Sequence, residues 1–544
     1  MTSIAFGYLP KINETARYGV AVAQSEFVKA VLSHGTYDRY VFLCDSVYTL
    51  QEALDDLKLY PNHERAEMVL FDDHQSLRQI DQLVLCLPDS TITDMVNLRK
   101  FFGKAEWPIT GVTHSLSYTS GIPSLLAAFF EDMYSYDCLV CTSHAGRKVV
   151  ENIIHSMMDY LSDRTGVNLK WQVQLPVIPL GVDASFYTAG DKRSSRRRFG
   201  IPGNSKVFLY VGRFSITFKM DPWPLLLSFS ENLGKEKEDV LLVIAGNDSE
   251  QVTPQMKRFV NSLGIADKVL ILPNITNQEK LSLYSAADVF LSPIDNVQET
   301  FGLAIIEAMS AGLAVIASDW NGYRESIIDG ETGFLIPTYW ADCVDHVSHS
   351  TLMKDDRAIH WLLSQAVSVD MAELGRLMRV FYDNPDLSKR MGEKGRQRVL
   401  DYYDWPKVIH KYEELWDMIV KQAVEAQQSN DGSNRHGVIS YDFLKVFGHY
   451  STGCITTDTR LTITPLGLRF LKGEIQLLPL TLNLSPFRSS LFYDIASGCS
   501  DGRSYAVYTL IQKARRSDEI ESEVVFHHII RLVKYCILEI VSLK

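Results

Sequence analysis

The chain has 544 residues, 46% of them hydrophobic and 22% charged, with a formal net charge of −12. That is apolar material for roughly two to four domains, and the acidic balance argues against a general polyanion-binding surface. No stretch reaches the roughly 18 apolar residues of a membrane span, no basic-then-apolar leader opens the chain, and eight cysteines in this length make no disulfide framework, so a soluble cytoplasmic protein is expected.

Short β-rich apolar runs alternate with longer helical patterns along the chain, as in parallel sheets wrapped by helices. Ser3 to Tyr8, Tyr40 to Cys44, Leu83 to Leu87, Ile109 to Thr113, Cys138 to Thr142 and Val177 to Pro179 read as one set of strands. Val207 to Val211, Val240 to Ala245, Val269 to Leu272, Val289 to Ser292 and Ala314 to Ala317 read as a second. Two doubly wound, Rossmann-like domains follow, at 1–190 and 200–403, facing each other across a cleft at the carboxyl ends of their strands. The basic cluster Lys192 to Arg198 between them reads as a solvated linker, with a membrane-surface or polyanion contact as the weaker alternative. Cys138 and Cys141 lie in a strand pattern that tends to turn them to opposite faces, against zinc or redox use. Asp55-Asp56 and Asp72-Asp73 read as surface charge rather than metal ligands.

Asp404-Trp405-Pro406 opens an amphipathic helix, assigned 404–426, and the polar stretch 427–437 is a linker. The remainder, 438–544, is an appendage of undecided α or α+β fold. Tyr441 to Phe447 reads as a short helix, Thr459 to Leu471 vaguely resembles a winged-helix segment, and Phe526 to Val541 repeats apolar residues at helical spacing on one face. Without a concentrated basic face a nucleic-acid partner is not expected, and Arg531, Lys534 and Glu539 speak against membrane insertion. The apolar face calls for a cover, from its own core or from a second copy; assembly or acceptor presentation is the expected role.

The most informative segment runs from Glu299 to Glu307. Gly302 lets backbone approach a ligand, and Leu303 to Ala311 are helix formers stopped by Gly312. A helix N-terminus presented in this way favours a phosphate, here on the N–H groups of Thr300, Phe301, Gly302 and Leu303. Carboxylates so close to an anion need hydroxyl partners, so one Glu suits a hexose and the other a ribose. Arg213, after the strand ending in Val211, and Lys219, before the helix start at Asp221-Pro222, complete a diphosphate clamp.

Val211-Gly212-Arg213, Lys219, Leu242 to Gly246, Tyr284 to Asp288, the Glu-bracketed run and Gly330 to Pro337 occur together in the order and spacing of one family. Residues 207–338 thereby resemble the donor half of family 4 glycosyltransferases with the GT-B fold, and the likeness continues more weakly over 1–425. The resemblance implies transfer of a hexosyl group from a nucleoside-diphosphate sugar (UDP-, GDP- or ADP-hexose) to an acceptor hydroxyl on a glycan, lipid, protein or small molecule. It implies retention by same-face attack, the leaving phosphate taking the acceptor proton, with no metal required because Arg213 and Lys219 replace it. It places Asn274 and Ile275 at the nucleobase, His114 beside the donor sugar at the cleft edge, and Gly19 where relatives carry a glycine pair, here reduced to one and preceded by Tyr18. Ser143 matches a Ser that follows the corresponding strand, or caps the helix beginning near Ala145. The helix from 404 is expected to pack back on the first domain, and the enzyme could be peripheral to a membrane. Two other readings stay open: an inactive nucleotide-binding relative serving assembly, and another enzyme on this fold such as a sugar-nucleotide epimerase. A phosphorylase lacks a convincing pyridoxal lysine.

Overall fold

The computed structural model describes residues 3–7, 19–44, 58, 60–70, 73, 76–77, 79–80, 82–119, 121–188, 190–342, 355–427, 450, 452–475, 489–515 and 522–542. They form two compact units, one within Met1–Gly437 and one comprising Val438–Lys544 with Cys44–Glu52 and Leu70–Asp72. Pro10 to Tyr18, Asp55-Asp56, Asp72, most of the 427–437 linker and the helix expected at Tyr441 to Phe447 lie outside the described residues.

The first unit holds two six-stranded sheets. One has the order β3-β2-β1-β4-β5-β6, with β1 at Ser3–Gly7, β2 at Tyr40–Cys44, β3 at Ala66–Leu70, β4 at Leu83–Cys86, β5 at Ile109–Val112 and β6 at Cys138–Val140. The other has the order β12-β11-β10-β7-β8-β9, with β7 at Lys206–Val211, β8 at Val240–Gly246, β9 at Val269–Pro273, β10 at Val289–Ser292, β11 at Ala314–Ser318 and β12 at Gly333–Ile336. Every pairing in this second sheet is parallel. The strand order reverses between β1 and β4 and between β7 and β10, so the loops leaving those strands open a crevice on each sheet.

Most of the strands are buried on both faces and mainly apolar, which makes them readable as short Val/Ile/Leu runs. One expected strand is absent, and two observed ones, β3 and β12, fall outside the runs read as strands. Val177 to Pro179 is no strand: Val177 makes an isolated bridge to Cys141, and the flanking Pro176 and Pro179 have no N–H for a ladder. Strand β3 carries Glu67 and is half-buried at the sheet edge, where the apolar signal is diluted. Cys138 and Cys141 do face different cores, one on each side of the first sheet, and burial raises both thiols, Cys141 to about 12.

The basic cluster is not a solvated linker. Lys192–Arg198 is a helix capped by the Asp191 carboxylate, and Arg196 is buried, donating to the carbonyls of Ala286 and Gly203 and to Asp288. Asp288 also accepts from Lys192 and from the Val207 backbone N–H, tying the cluster to the start of β7. Lys192 and Arg196 are used internally in this way, while Arg193, Arg197 and Arg198 stay exposed.

The helix Trp405–Gln427 lays Trp405, Val408, Ile409, Tyr412, Trp416 and Ile419 against Ile4, Phe6, Phe27, Val31 and Phe42 of the first sheet and its helix Gly19–His34. At its entry, Val182 and Trp405 exchange backbone hydrogen bonds with Tyr403 and Val182, and Asp404 accepts from the Ala184 N–H. Trp416, fully buried and 6.4 Å from the Phe6 ring, anchors the contact.

In the second unit, antiparallel strands β15 (Arg460–Ile463), β16 (Tyr505–Ala506) and β17 (Leu538–Ser542) form a sheet ordered β16-β15-β17, accompanied by helices Pro465–Leu471, Ser489–Ser497, Val507–Arg515 and Ser522–Lys534. The fold is α+β. The helix expected to run from Phe526 to Val541 ends at Lys534; Cys536 adopts φ +57° and the chain turns into β17, where Leu538 to Ile540 pair with β15. Apolar spacing alone could not register that break, because β-branched residues at the end suit a strand equally well. Val525, Ile529 and Leu532 fill this unit's own core with Leu491, Leu510 and Ile537.

Trp416→Ala is expected to cost about 3–5 kcal/mol, as for other large-to-small core truncations, and to lower the midpoint of urea unfolding. Tyr160→Ala, at an exposed ring, should change stability by less than about 0.5 kcal/mol.

Candidate functional site

Loops at the carboxyl ends of both sheets enclose a cleft of about 770 Å³, within the range of small-molecule sites. Its first-domain wall includes Asp89, His114 and Tyr118; its second-domain wall includes Gly212, Arg213, Lys219, Ile275, Lys280 and the run from Gln298 to Ala304 with Glu307.

The Glu-bracketed run turns on Gly302, whose φ of +100° suits glycine and whose added Cβ would stand 2.2 Å from the ring of Tyr323. That ring is fully buried, with its hydroxyl 2.9 Å from Ser292 Oγ. The helix Leu303–Ser310 therefore starts hard against the loop, with no side chain capping it and with Leu303 and Ala304 on the cleft wall. Backbone N–H groups and the positive helix end are presented to a ligand. A second close approach brings the β7 and β8 loops together: a Cβ on Gly246 would lie 1.7 Å from the Gly212 carbonyl oxygen.

The charged groups are paired and largely buried. Lys219 Nζ donates to Glu299 Oε2. Burial pushes the Glu299 carboxyl up, but the Lys219 charge and hydrogen bond, the Phe301 N–H and Arg213 outweigh it and hold the group below its ordinary value. Arg213 Nη2 donates to Gln298 Oε1 at 2.7 Å. Glu307 accepts from three donors: Tyr187 Oη at 2.7 Å and Lys280 Nζ at 2.8 Å on Oε1, and Tyr284 Oη at 2.8 Å on Oε2. Burial and then the Glu307 charge raise both tyrosines, keeping them protonated donors. Oε2 keeps lone-pair capacity for a further donor, as a ribose hydroxyl would supply.

On the first domain, His114 Nε2 faces the Pro88 carbonyl at 2.8 Å and therefore carries the proton, leaving Nδ1 as an acceptor. Burial lowers the imidazole from its ordinary value, more than Pro88 and Asp89 raise it, so the ring is neutral at pH 7. The His114 carbonyl accepts from Thr300 Oγ1 at 2.8 Å, and Ser143 Oγ donates to the Thr300 carbonyl at 2.9 Å. Ser143 also caps the helix His144–Thr165 through the Gly146 N–H, while Glu325 takes the N–H groups of His144 and Ala145. Gly19 opens the helix Gly19–His34. Asn274 stands apart from the cleft-lining residues: at φ +57°, its side-chain oxygen accepts from the Asp248 N–H, while Ile275, Thr276 and Asn277 face the cleft. Among the described residues no three His, Cys, Asp or Glu side chains converge as a metal-ligand set.

Residues 191–358 match the family model of the group 1 glycosyl transferases. D-inositol 3-phosphate glycosyltransferase of Mycobacteroides abscessus is 32% identical over 175 residues, 31% of this chain and 38% of that protein. The enzyme of the same name from Corynebacterium diphtheriae is 34% identical over 181 residues, 31% of this chain and 42% of its own length. This chain thus spans about two fifths of the length of these relatives. A glycosyltransferase structure from Rickettsia africae superposes with a TM-score of 0.52 at 15% identity, covering 77% of this chain and 99% of that one. The fold of the first unit is GT-B.

Sequence reasoning missed Lys280, Tyr187, Gln298 and Tyr118, and gave Tyr284 no role. Each is a single residue in an ordinary pattern; Lys280 sits one turn into a helix, with nothing in its spacing to mark it.

Because the Glu299 carboxyl lies below its unfolded value, the stability it contributes is present above that value, near 4.5, and is lost as pH falls through the folded value. In Lys219→Met burial is left opposed only by Arg213 and one N–H. The rise in stability that Glu299 contributes as pH climbs from its folded value to the ordinary 4.5 should vanish in that variant, measured by urea unfolding across that range.

Proposed function

We propose that the protein is a retaining glycosyltransferase that moves a hexosyl group from a nucleoside-diphosphate sugar to an acceptor hydroxyl without a metal ion. The observation that carries this reading is the convergence, in one cleft, of Arg213, Lys219, Glu299 and Glu307 around the uncapped end of the helix Leu303–Ser310. Two cations and a helix N-terminus suit a diphosphate, and carboxylates on either side suit the hydroxyls of its two sugars. The group 1 match over 191–358 covers the same residues.

In this mechanism the acceptor attacks the anomeric carbon on the face from which the diphosphate departs. The departing oxygen takes the acceptor proton. Charge grows on the diphosphate as the glycosidic bond breaks, so Arg213, Lys219 and the N–H groups around Gly302 bind the transition state more strongly than the ground state. Neutral His114 and Glu299 hold the hexose, and Glu307, set by Tyr187, Tyr284 and Lys280, accepts from the ribose. The relatives carry D-inositol 3-phosphate in their name, which makes it one acceptor to try alongside hexosides. The second unit is assigned assembly or acceptor presentation.

Calorimetry with UDP, GDP and ADP tests the donor reading; failure of all three to bind overturns it. Arg213→Ala and Lys219→Ala should each raise the barrier to turnover by about 2–4 kcal/mol while changing diphosphate affinity less. Turnover should persist in excess EDTA, and an α-configured donor should give an α-linked product by NMR.

A further inference from the structure

Gln298 stands between two groups whose bonding capacities fix its direction. A guanidinium only donates, so the amide oxygen is the end that faces Arg213, at 2.7 Å. The amide nitrogen then faces Tyr118 Oη at 2.8 Å and can only donate. Tyr118 accepts that bond, which leaves its own proton to be given elsewhere, and Tyr118 lines the cleft. The arrangement is rigid. Gln298 N–H is held by Asn296 Oδ1 at 3.0 Å, and Asn296 is fully buried with its amide on the Thr217 carbonyl. The Tyr118 ring lies against Phe218, 24° from parallel, and edge-on to His360 at 4.9 Å. His360 reaches Ser117 Oγ at 2.7 Å, and Asp356 accepts from Thr119 N–H and Oγ1. The helix Asp356–Gln365, inserted between β13 (Thr338–Trp340) and β14 (Val367–Val369), thus grips both sides of Tyr118 from the other domain. Burial raises the phenol more than Arg213 and Gln298 lower it, so it is protonated at neutral pH.

We propose that Tyr118 is a hydrogen-bond donor to a hydroxyl oxygen of the transferred hexose, and that Gln298 is the positioning residue that turns the Tyr118 proton into the cleft. The inference rests on the donor reading above. The diphosphate needs the cations and helix end, all of which belong to the second domain. Tyr118 belongs to the opposite wall, one glutamine side chain away from Arg213, where the next group of the donor lies, and Glu299, beside Gln298, accepts from the same sugar. Donor and acceptor then meet the hexose from two sides.

Two substitutions separate direction from shape. Tyr118→Phe keeps the ring and removes the proton. Gln298→Glu keeps the shape and the Arg213 contact, but a carboxylate only accepts, so Tyr118 must turn its proton toward it and away from the sugar. Affinities for UDP, GDP or ADP, whichever binds, and for its glucose, galactose and mannose derivatives are measured by calorimetry. Tyr118→Phe should leave diphosphate affinity unchanged, which also reports the fold. In Gln298→Glu, whose added charge faces Arg213, the sugar nucleotide is read relative to the bare diphosphate, and in both variants that ratio should fall about five- to tenfold, the scale of one hydrogen bond. The double variant should lose no more than either single one. Unchanged sugar-nucleotide affinity in Tyr118→Phe, or an equal loss for the bare diphosphate, overturns the assignment of Tyr118. An unchanged ratio in Gln298→Glu with loss in Tyr118→Phe overturns the role of Gln298. Absence of any diphosphate binding in the unaltered protein would instead overturn the donor reading.

Discussion

A single backbone constraint organises the second domain's half of the cleft: at Gly302 the chain must turn left-handed against a buried tyrosine ring. Any side chain there would collide with Tyr323, and the collision could not be relieved cheaply, because Tyr323 is held by Ser292 at the end of β10. The turn lets the helix Leu303–Ser310 begin without a capping side chain while Gln298, Glu299 and Thr300 still reach the opposite domain or the cations. With a conventional Ser or Asp cap, the first free N–H groups would be satisfied internally and unavailable to an anion.

Around this turn, charge is managed by pairing. Lys219 and Glu299 neutralise each other, and on the proposed function a phosphate approaching Lys219 competes with a carboxylate that is itself suited to hydroxyls. Glu307 has a different setting, with a lysine and two tyrosines fixing its orientation. A carboxylate held by three donors costs little reorganisation when a fourth binds. Asp288, by contrast, spends the same chemistry on structure, joining Arg196, Lys192 and the Val207 N–H near the start of β7.

Much of this was legible in the sequence. Buried parallel strands announce themselves as apolar runs, and the Gly302 turn as a glycine before helix formers bracketed by Glu. What escaped has physical causes. The basic run Lys192 to Arg198 shows charge but not its partner, and Asp288 lies nearly a hundred residues away. The break at Cys536 depends on β17 finding β15, which no local period reports. Gln298 and Tyr118 are close only because β5 and β10 deliver their loops to facing edges of two domains.

Thr300 has a further significance. Its side chain and carbonyl are both bonded to the first domain, through His114 and Ser143, while its neighbours carry the binding groups of the second. Glu325 adds two more bonds across the same seam without lining the cleft. On the proposed function, a donor in the cleft and the docking of the two domains share this segment, and thermodynamic reciprocity makes any coupling between them symmetrical. Whatever factor a ligand adds to the docked population, loosening the docking at Glu325 must subtract from the ligand's affinity. On that reading, affinity can be retuned from residues outside the cleft, such as Glu325, without touching the chemistry.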